Sequence, residues 1–284
     1  METDALSSRN NSAASTDRAA TIVEAGSHLR GQHAIVTGAS GGIGAATAAT
    51  LARLGADLTL MGRNQVALAD TVTRLRQAYP IKVRAEAVDA RDEDRIVAAF
   101  KAAQDEFGAA KILINNAGIA EAAPFSRTDT KFWQRLLDVD LTGPFLCTRQ
   151  VFGAMVKSGY GRIVNVASTA GRVGYAYVSA YCAAKHGLIG LTRALAREFA
   201  NNGVTVNAVC PGYTDTNIVA STVENIVAKT GRTHEQALAQ LVSHNPQGRL
   251  IAPTEVAEIV GWLCLPSSGS ITGQSIMIDG GEVT

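Results

Sequence analysis

The chain has 284 residues, of which 46% are apolar, so it is long enough and apolar enough to bury a sizeable core. Its 26 basic and 25 acidic side chains leave a formal charge of +1, which gives no electrostatic reason to expect nucleic acid or an anionic membrane as a partner. We therefore expect a globular protein that acts on small molecules or on other proteins.

Neither a membrane span nor a secretory signal is predicted. No stretch reaches the roughly 18 uncharged apolar residues of a membrane-spanning helix, and the N-terminus lacks the apolar region of a signal peptide. The cysteines lie far apart without a CxxC pair, which favours reduced thiols over a disulfide framework or a zinc site; they are Cys147, Cys182, Cys210 and Cys264. These features predict a cytoplasmic protein without a bound metal.

The domain organisation follows from composition and from the alternation of patterns. Residues 1–29 are rich in Ser, Asn, Ala and Thr, which predicts a disordered tail. From His33 onward, β-rich runs alternate with helical patterns, as is typical of a parallel sheet covered by helices on both faces, an α/β fold. We expect one domain over residues 30–284, with strands at 33–37, 57–61, 82–88, 111–115, 161–168, 204–209 and 274–279.

One connection is unusually long. About 40 residues separate Pro211 from Pro253, whereas a typical connection has roughly 4–6. Its middle has helical spacing that is broken at Thr230 and Gly231, so we expect two short helices that form a substrate lid over about residues 213–250. An ordinary packed insertion is the alternative.

A glycine-rich turn follows the first predicted strand. The stretch TGASGGIG is followed by a helical pattern, and glycines in this place let the backbone approach a pyrophosphate while the helix N-terminus faces its charge. Tight strand-to-helix turns also use glycine for steric reasons alone. The predicted dinucleotide cradle consists of Gly38, Ser40, Gly42, Ile43 and Gly44.

Arg63 follows the second predicted strand, where an adenosine ribose would lie. No acidic residue occupies Met61 or Gly62, and a guanidinium suits a 2′-phosphate, so NADP(H) is expected in preference to NAD(H). A solvated arginine that opens the next helix is the alternative.

Three residues could carry chemistry. Tyr181 and Lys185 are four positions apart, which on a helix places phenol and ammonium on one face, and a nearby cation lowers the pKa of a phenol. Ser168 ends a predicted strand and can donate a hydrogen bond to the same substrate oxygen. Taken alone, such a Tyr–Lys pair is more often a structural contact, but the glycine cradle favours catalysis.

These motifs, taken in order, resemble the short-chain dehydrogenase/reductase family over about residues 30–284. They are TGxxxGxG at 37–44, NNAG at 115–118, Ser168, YxxxK at 181–185, and Pro211-Gly212 with two threonines after it. The resemblance implies a Rossmann-type, doubly wound, seven-stranded sheet and hydride transfer between nicotinamide and a carbonyl or alcohol carbon. Tyr181 would be the acid or base, Ser168 would hold the substrate oxygen, and Lys185 would bind the ribose and lower the tyrosine pKa.

The resemblance implies further cofactor contacts as well. Asp89 would lie beside the adenine, residues 115–118 would form the cofactor floor, and residues 211–216 would hold the carboxamide side. The implied contacts are Asp89, Asn116, Ala117, Gly118, Tyr181, Lys185, Pro211, Gly212, Thr214 and Thr216.

The closing stretch from Asn245 resembles the branch that contains 3-oxoacyl-thioester reductases, hydroxyacyl and hydroxybutyrate dehydrogenases, and polyketide ketoreductases. We therefore expect an NADP(H)-dependent reductase of a 3-oxoacyl substrate, with Lys229, Arg232 and Arg249 available to a coenzyme A or phosphopantetheine phosphate. A dehydrogenase of a sugar, a cyclic alcohol or another secondary alcohol is the alternative. The resemblance also implies a homotetramer that pairs helices around residues 129–157 and 178–201.

Two other classes of function remain open. A binding protein that senses NADP without catalysis would not need Ser168, Tyr181 and Lys185 together. A dehydratase or epimerase of the extended branch would carry TGxxGxxG in place of TGxxxGxG and a longer C-terminal region.

Asp140 and Pro144 stand in what the pattern predicts to be one long helix. Trp133, Leu137, Asp140, Pro144, Cys147 and Val151 recur at three- and four-residue steps, which places the carboxylate on the buried stripe. The family usually has asparagine here and uses its main-chain carbonyl in a proton relay. Pro144 lacks the N–H that would bond the carbonyl of Asp140, so we expect the carbonyl to be free and the carboxylate to face Lys185. An incidental kink with an exposed aspartate is the alternative.

Overall fold

The computed structural model of the chain describes residues 28–284. The tail predicted at 1–29 therefore lies almost entirely outside the described residues. Leu29 belongs to the folded domain, because its side chain is fully buried and its N–H donates to the carbonyl of Leu54 at 2.9 Å. The domain thus begins at least one residue before the predicted boundary.

Within these residues, seven parallel strands form one sheet in the order β3-β2-β1-β4-β5-β6-β7, which confirms the doubly wound α/β fold. The strand order reverses between β1 and β4, and open α/β sheets bind ligands beyond the carboxyl ends of the strands at such a point. The strands are β1 His33–Thr37, β2 Asp57–Gly62, β3 Val83–Ala87, β4 Ile112–Asn115, β5 Gly161–Val166, β6 Val204–Pro211 and β7 Ser275–Ile278.

Helices connect the strands, and polar caps begin several of them. The Asn64 side chain accepts from the N–H of Ala67 at 3.0 Å, and Asp92 does the same for Arg95, so each satisfies an otherwise free N–H of a first helical turn. The helices are α1 Gly42–Arg53, α2 Gln65–Ala78, α3 Glu93–Phe107, α4 Thr130–Leu137, α5 Gly143–Ser158, α6 Ser179–Phe199, α7 Asn217–Thr230, α8 His234–Val242 and α9 Pro253–Cys264.

The two faces of the sheet carry separate apolar layers. On β1, Ala34 and Val36 face the layer of α1, α2 and α9, whereas Ile35 faces the layer of α3, α5 and α6. Because both faces are covered, the strands inside the sheet are largely buried and read as mostly apolar runs, whereas the edge strands β3 and β7 are only partly buried.

The long connection forms the two predicted helices, α7 and α8, which break at Gly231 with φ +69°. They pack on each other through a small apolar cluster of Val219, Val223, Ala237 and Leu241. A parallel bridge between Thr214 and Ile251 joins the two ends of this insertion, whose role as a substrate lid stays a prediction.

The helix predicted over 129–157 is interrupted, and this differs from the expectation of one continuous helix. Residues Asp138–Thr142 form a π-helical turn between α4 and α5, in which the N–H of Gly143 donates to the carbonyl of Asp138. The buried stripe is shifted accordingly: Trp133 and Leu137 are only partly buried, whereas Asp140 and every later member of the predicted stripe are buried. A π turn adds a residue to the helix and so changes which side chains face inward.

The cysteines of the described residues are free thiols, and Cys147, Cys210 and Cys264 are buried. Among residues 28–284, no helix has both the length and the apolar character needed to cross a membrane.

Candidate active site

The glycine turn is held against the loop that follows β4. Gly38 has φ +66°, and a Cβ there would lie 2.8 Å from the Cα of Ala117, so only glycine fits. The Asn116 amide donates to the carbonyls of Thr37 and Gly38 at 2.9 and 3.1 Å. The Thr37 hydroxyl accepts the N–H groups of Asn116 and Ala117 at 3.0 Å each. The predicted cofactor floor and the cradle are thus one hydrogen-bonded unit.

This unit suits a pyrophosphate. Helix α1 begins at the cradle with no side-chain cap and no acidic residue in its first turn, so no side chain offsets its N-terminal dipole, which favours an anion. A Cβ on Gly44 would lie 2.2 Å from the carbonyl oxygen of Gly38, so the backbone already fills that space. Ile43 packs against the core from the first turn, and Ser40 lies in the turn beside the end of β2.

The segment after β6 lies against the same cradle. A Cβ on Gly42 would lie 2.9 Å from Cγ2 of Thr216, and the Thr214 hydroxyl donates to the carbonyl of Gly212 at 3.0 Å. Pro211 ends β6. These contacts bring the segment predicted for the carboxamide side to the mouth of the glycine turn.

The residues predicted for the adenosine end also converge. Arg63 follows β2 and is exposed, and it lies within electrostatic range of Asp89, which follows β3. A bond from Arg91, whose Nη2 is 2.7 Å from the carboxylate, lowers the pKa of Asp89 below its usual value. Asp89 is therefore a charged acceptor, and Arg63 makes no ion pair within the range that the structure describes.

Ser168, Tyr181 and Lys185 are brought together at the carboxyl end of β5. The Lys185 ammonium donates to the carbonyl of Val166 at 3.0 Å and lies 5.6 Å from the centroid of the Tyr181 ring. The Ser168 hydroxyl acts to lower the pKa of Tyr181, and it accepts the N–H of Ala170 at 3.1 Å.

Asp140 lies directly behind this group. Its side chain is 0% exposed and its Oδ1 is 3.2 Å from Nζ of Lys185, itself 4% exposed. The N–H of Ile119 also donates to Oδ1, at 3.3 Å, and Oδ2 is buried with no hydrogen-bond partner among the described residues. A Cβ on Gly118 would lie 2.7 Å from Oδ1, so that glycine makes room for the carboxylate. The expectation that the carboxylate faces Lys185 is confirmed, and the exposed-aspartate alternative is wrong.

The electrostatics of the group differ in one respect from the sequence expectation. Burial raises the pKa of Tyr181 above its usual value; Lys185 lowers it, as expected, but does not outweigh burial, and Asp140 raises it further. Burial acts to lower the pKa of Lys185, yet Asp140 and Tyr181 more than offset it, so the pKa is raised. Burial also raises the pKa of Asp140, against the opposing effect of Lys185.

Pro144 is the second residue of α5, directly after the π turn. Its ring nitrogen cannot bond the carbonyl of Asp140, as the sequence predicts. A relay role for that carbonyl stays a prediction.

The three cationic residues of the predicted lid differ in the partners that they already have. Arg249 forms a two-bond ion pair with Glu255, at 2.7 and 2.8 Å, and this bond lowers the pKa of Glu255 to about 2. Arg232 bonds Gln240, and Lys229 is exposed on α7. Arg249 is therefore already paired with a carboxylate.

Sequence reasoning missed a second polar group at the site. Tyr175, in the loop after β5, donates to Glu282 near the C-terminus, and Tyr213 lies within electrostatic range of Glu282 and Tyr181. No local pattern marks these residues, because the sheet topology alone brings them together.

Comparison with known proteins gives consistent matches. A profile described as short chain dehydrogenase matches residues 32–227. A putative ketoacyl reductase of Streptomyces coelicolor is 36% identical over 250 residues, which cover 87% of this chain and 95% of that protein. A D-beta-hydroxybutyrate dehydrogenase of Cupriavidus necator is 37% identical over 257 residues, covering 90% and 99%. A crystal structure of a variant actinorhodin polyketide ketoreductase with NADPH superposes with a TM-score of 0.84 at 35% identity, covering 88% and 97%.

Proposed function

Since this chain belongs to the short-chain dehydrogenase family and is an oxidoreductase acting on keto or alcohol substrates, we propose that it is an NADP(H)-dependent reductase of 3-oxoacyl thioesters. The observation that carries the proposal is the convergence of Ser168, Tyr181 and Lys185 beside the glycine cradle. A protein that only sensed NADP would have no use for a buried lysine beside a phenol at this edge.

The catalytic roles follow from position. Ser168 donates a hydrogen bond to the substrate oxygen, and the Tyr181 hydroxyl delivers a proton to that oxygen in reduction or removes it in oxidation. Lys185, held by the carbonyl of Val166, stabilises the phenolate and can bond the ribose hydroxyls. The bound nicotinamide cofactor supplies or accepts the hydride.

The cofactor assignment rests on the cradle and on Arg63. The backbone contacts between Gly38 and Ala117, together with the uncapped helix α1, suit a pyrophosphate. The exposed guanidinium of Arg63 beside the end of β2 suits a 2′-phosphate. The similar ketoreductase solved with NADPH also supports this choice.

Asp140 is proposed as a positioning residue for the proton path. Its carboxylate forms an ion pair with the ammonium of Lys185 at 3.2 Å. In the family pattern, the asparagine at this place instead acts through its main-chain carbonyl, which holds a water next to the lysine. It keeps Lys185 charged and raises the pKa of Tyr181.

The substrate assignment is supported by the similar ketoacyl reductase and by the lid. Lys229 and Arg232 lie on and after α7, above the carboxyl edge of the sheet, where a phosphopantetheine or coenzyme A phosphate could be bound. Arg249 is assigned to its ion pair with Glu255 instead.

A substrate screen with both cofactors tests these proposals. Acetoacetyl-CoA should be reduced faster with NADPH than with NADH. With NADPH as cofactor, it should also be reduced faster than a sugar or a cyclic ketone. Turnover of the sugar or the cyclic ketone but not of the thioester would refute the substrate class. Cofactor binding without turnover across the panel would refute catalysis.

We also propose that the chain is a cytoplasmic homotetramer. Phe145 and Phe152 on α5 are 44% and 38% exposed, as is expected of a helix that pairs with a second copy. Light scattering of the purified protein would give the mass, and a monomer would refute the assembly.

A further inference from the structure

A tyrosine–glutamate pair joins two distant parts of the chain at the substrate side of the site. The hydroxyl of Tyr175 donates to Oε1 of Glu282 at 2.6 Å. Asp279 fixes the turn that carries Glu282, because its carboxylate accepts the N–H groups of Gly281 and Val283 at 3.0 and 2.8 Å. The glutamate is therefore held in place by the backbone and not only by its own bond.

The pair lies near the segments that form the site. Tyr175 and the proposed substrate-binding Ser168 both follow β5. Tyr213 lies within electrostatic range of both Glu282 and Tyr181, and Gly212 beside it is close to the Glu282 carboxylate. Glu282 therefore lies on the same side of the sheet edge as the proposed proton-transferring phenol.

The second carboxylate oxygen has no partner. Oε2 of Glu282 is buried and makes no hydrogen bond within residues 28–284. It faces Gly212 in the segment predicted to hold the carboxamide side, where a Cβ would lie 3.0 Å from it. A carboxylate left half-satisfied beside a ligand site acts on the ligand through its charge.

His244, at the end of the lid, covers the same group. Its ring lies 6.5 Å from the ring of Tyr175 and 6.0 Å from that of Tyr213, centroid to centroid. The wall around Glu282 therefore includes aromatic rings from the lid and from two strand-end loops, which limits the water available to screen its charge.

We propose that Glu282, held by the turn that Asp279 fixes, is a specificity-determining residue that excludes 3-oxo acids, whose carboxylate lies one carbon away from the reacting ketone, and so selects esters, thioesters and other neutral ketones. This inference rests on the proposed function and narrows its substrate class. Like charges brought together in a poorly screened site repel each other, whereas a neutral ester or thioester is unaffected by the carboxylate.

A matched substrate pair tests the inference. Acetoacetate and methyl acetoacetate differ in one charge, and kcat/KM for NADPH-dependent reduction is measured for each. Wild-type protein should prefer the ester, and Glu282→Gln should reduce the ester-to-acid ratio by about tenfold, through a gain on the acid. Glu224→Gln, which removes the same charge from the exposed face of α7, should keep the wild-type ratio.

A second variant separates charge from packing. Tyr175→Phe removes the bond to Glu282 but leaves the carboxylate, so the preference for the ester should persist. A ratio that is unchanged in Glu282→Gln, or that falls equally in Tyr175→Phe, would overturn the inference while leaving the reductase function in place. Turnover of neither substrate by wild-type protein would refute the proposed function and the inference with it.

Discussion

Replacing Asp140 with asparagine keeps the shape of the side chain and removes its charge. The amide oxygen can still accept the N–H of Ile119, as Oδ1 does at 3.3 Å, so the local backbone should be preserved. What changes is the field at Tyr181, whose pKa the carboxylate raises. The variant should therefore have a lower tyrosine pKa.

The size of the effect follows from two distances. Oδ1 of Asp140 is 3.2 Å from Nζ of Lys185, which is 5.6 Å from the Tyr181 ring centroid, so carboxylate and ring are close together. At an effective dielectric constant of about 20, a unit charge at about 9 Å, the largest separation that those distances allow, is worth about 1.8 kcal/mol, or about one pH unit.

The assay is the pH dependence of kcat/KM in both directions. Oxidation needs the phenolate, so its rate falls as the pH drops through the tyrosine pKa; reduction needs the phenol, so its rate falls as the pH rises through it. In Asp140→Asn both limbs should move to lower pH by about one unit. Asp138→Asn, two residues earlier and bonded to Gln134 at 2.7 Å, is the charge-matched control.

An unchanged pH profile in Asp140→Asn, or an equal displacement in Asp138→Asn, would refute the electrostatic role of the buried carboxylate. The main-chain role of residue 140 would then be the remaining explanation for its position.

Three further predictions concern the cofactor, the packing and the pH stability. Arg63→Ala should raise KM for NADPH by about tenfold or more with little change for NADH, since a 2′-phosphate bond is lost; an equal rise for both cofactors in steady-state kinetics would contradict it. Gly118→Ala should lower the free energy of unfolding by about 1–3 kcal/mol, because the new Cβ would lie 2.7 Å from Oδ1 of Asp140; an unchanged denaturant midpoint would count against this clash. Burial lowers the pKa of His33 below 6.5, so the unfolded chain binds a proton more readily than the folded chain. The free energy of unfolding should therefore fall as the pH drops below about 6.5. In thermal melts, His33→Gln should lose less stability over this pH range than the wild-type protein, and an equal loss would contradict the prediction.

The sequence was sufficient for the sheet and for the residues that local motifs mark. Each strand lies within two residues of its prediction, because the central strands are apolar runs between turn residues and the edge strands β3 and β7 still follow the regular alternation with helices. Gly38, Ser168 and Lys185 are likewise marked by local motifs, because the chemistry predicted for them needs residues at fixed places after strands or on one helix face.

Features that depend on tertiary packing could not be predicted from local sequence patterns. The spacing of Tyr181 and Lys185 gives the sign of their interaction but not the burial that outweighs it. Tyr175 and Glu282 are 107 positions apart, and neither carries a local signal. Pro144 marks an irregularity in the helix, but whether it becomes a kink or a π turn is decided by what α4 and α5 pack against.

The π turn at Asp138–Thr142 changes the phase of the helix that contains it. Each residue of an α-helix advances the side-chain direction by about 100°, so one additional residue rotates α5 by that angle relative to α4. Helix α4 packs on α6, whereas α5 packs mainly on β4, β5 and α3 and to a smaller extent on α6. One nearly continuous helical segment can therefore pack against α6 through α4 and against the sheet through α5. Without the added residue, Asp140 could not face Lys185 while Val151 packs against the sheet.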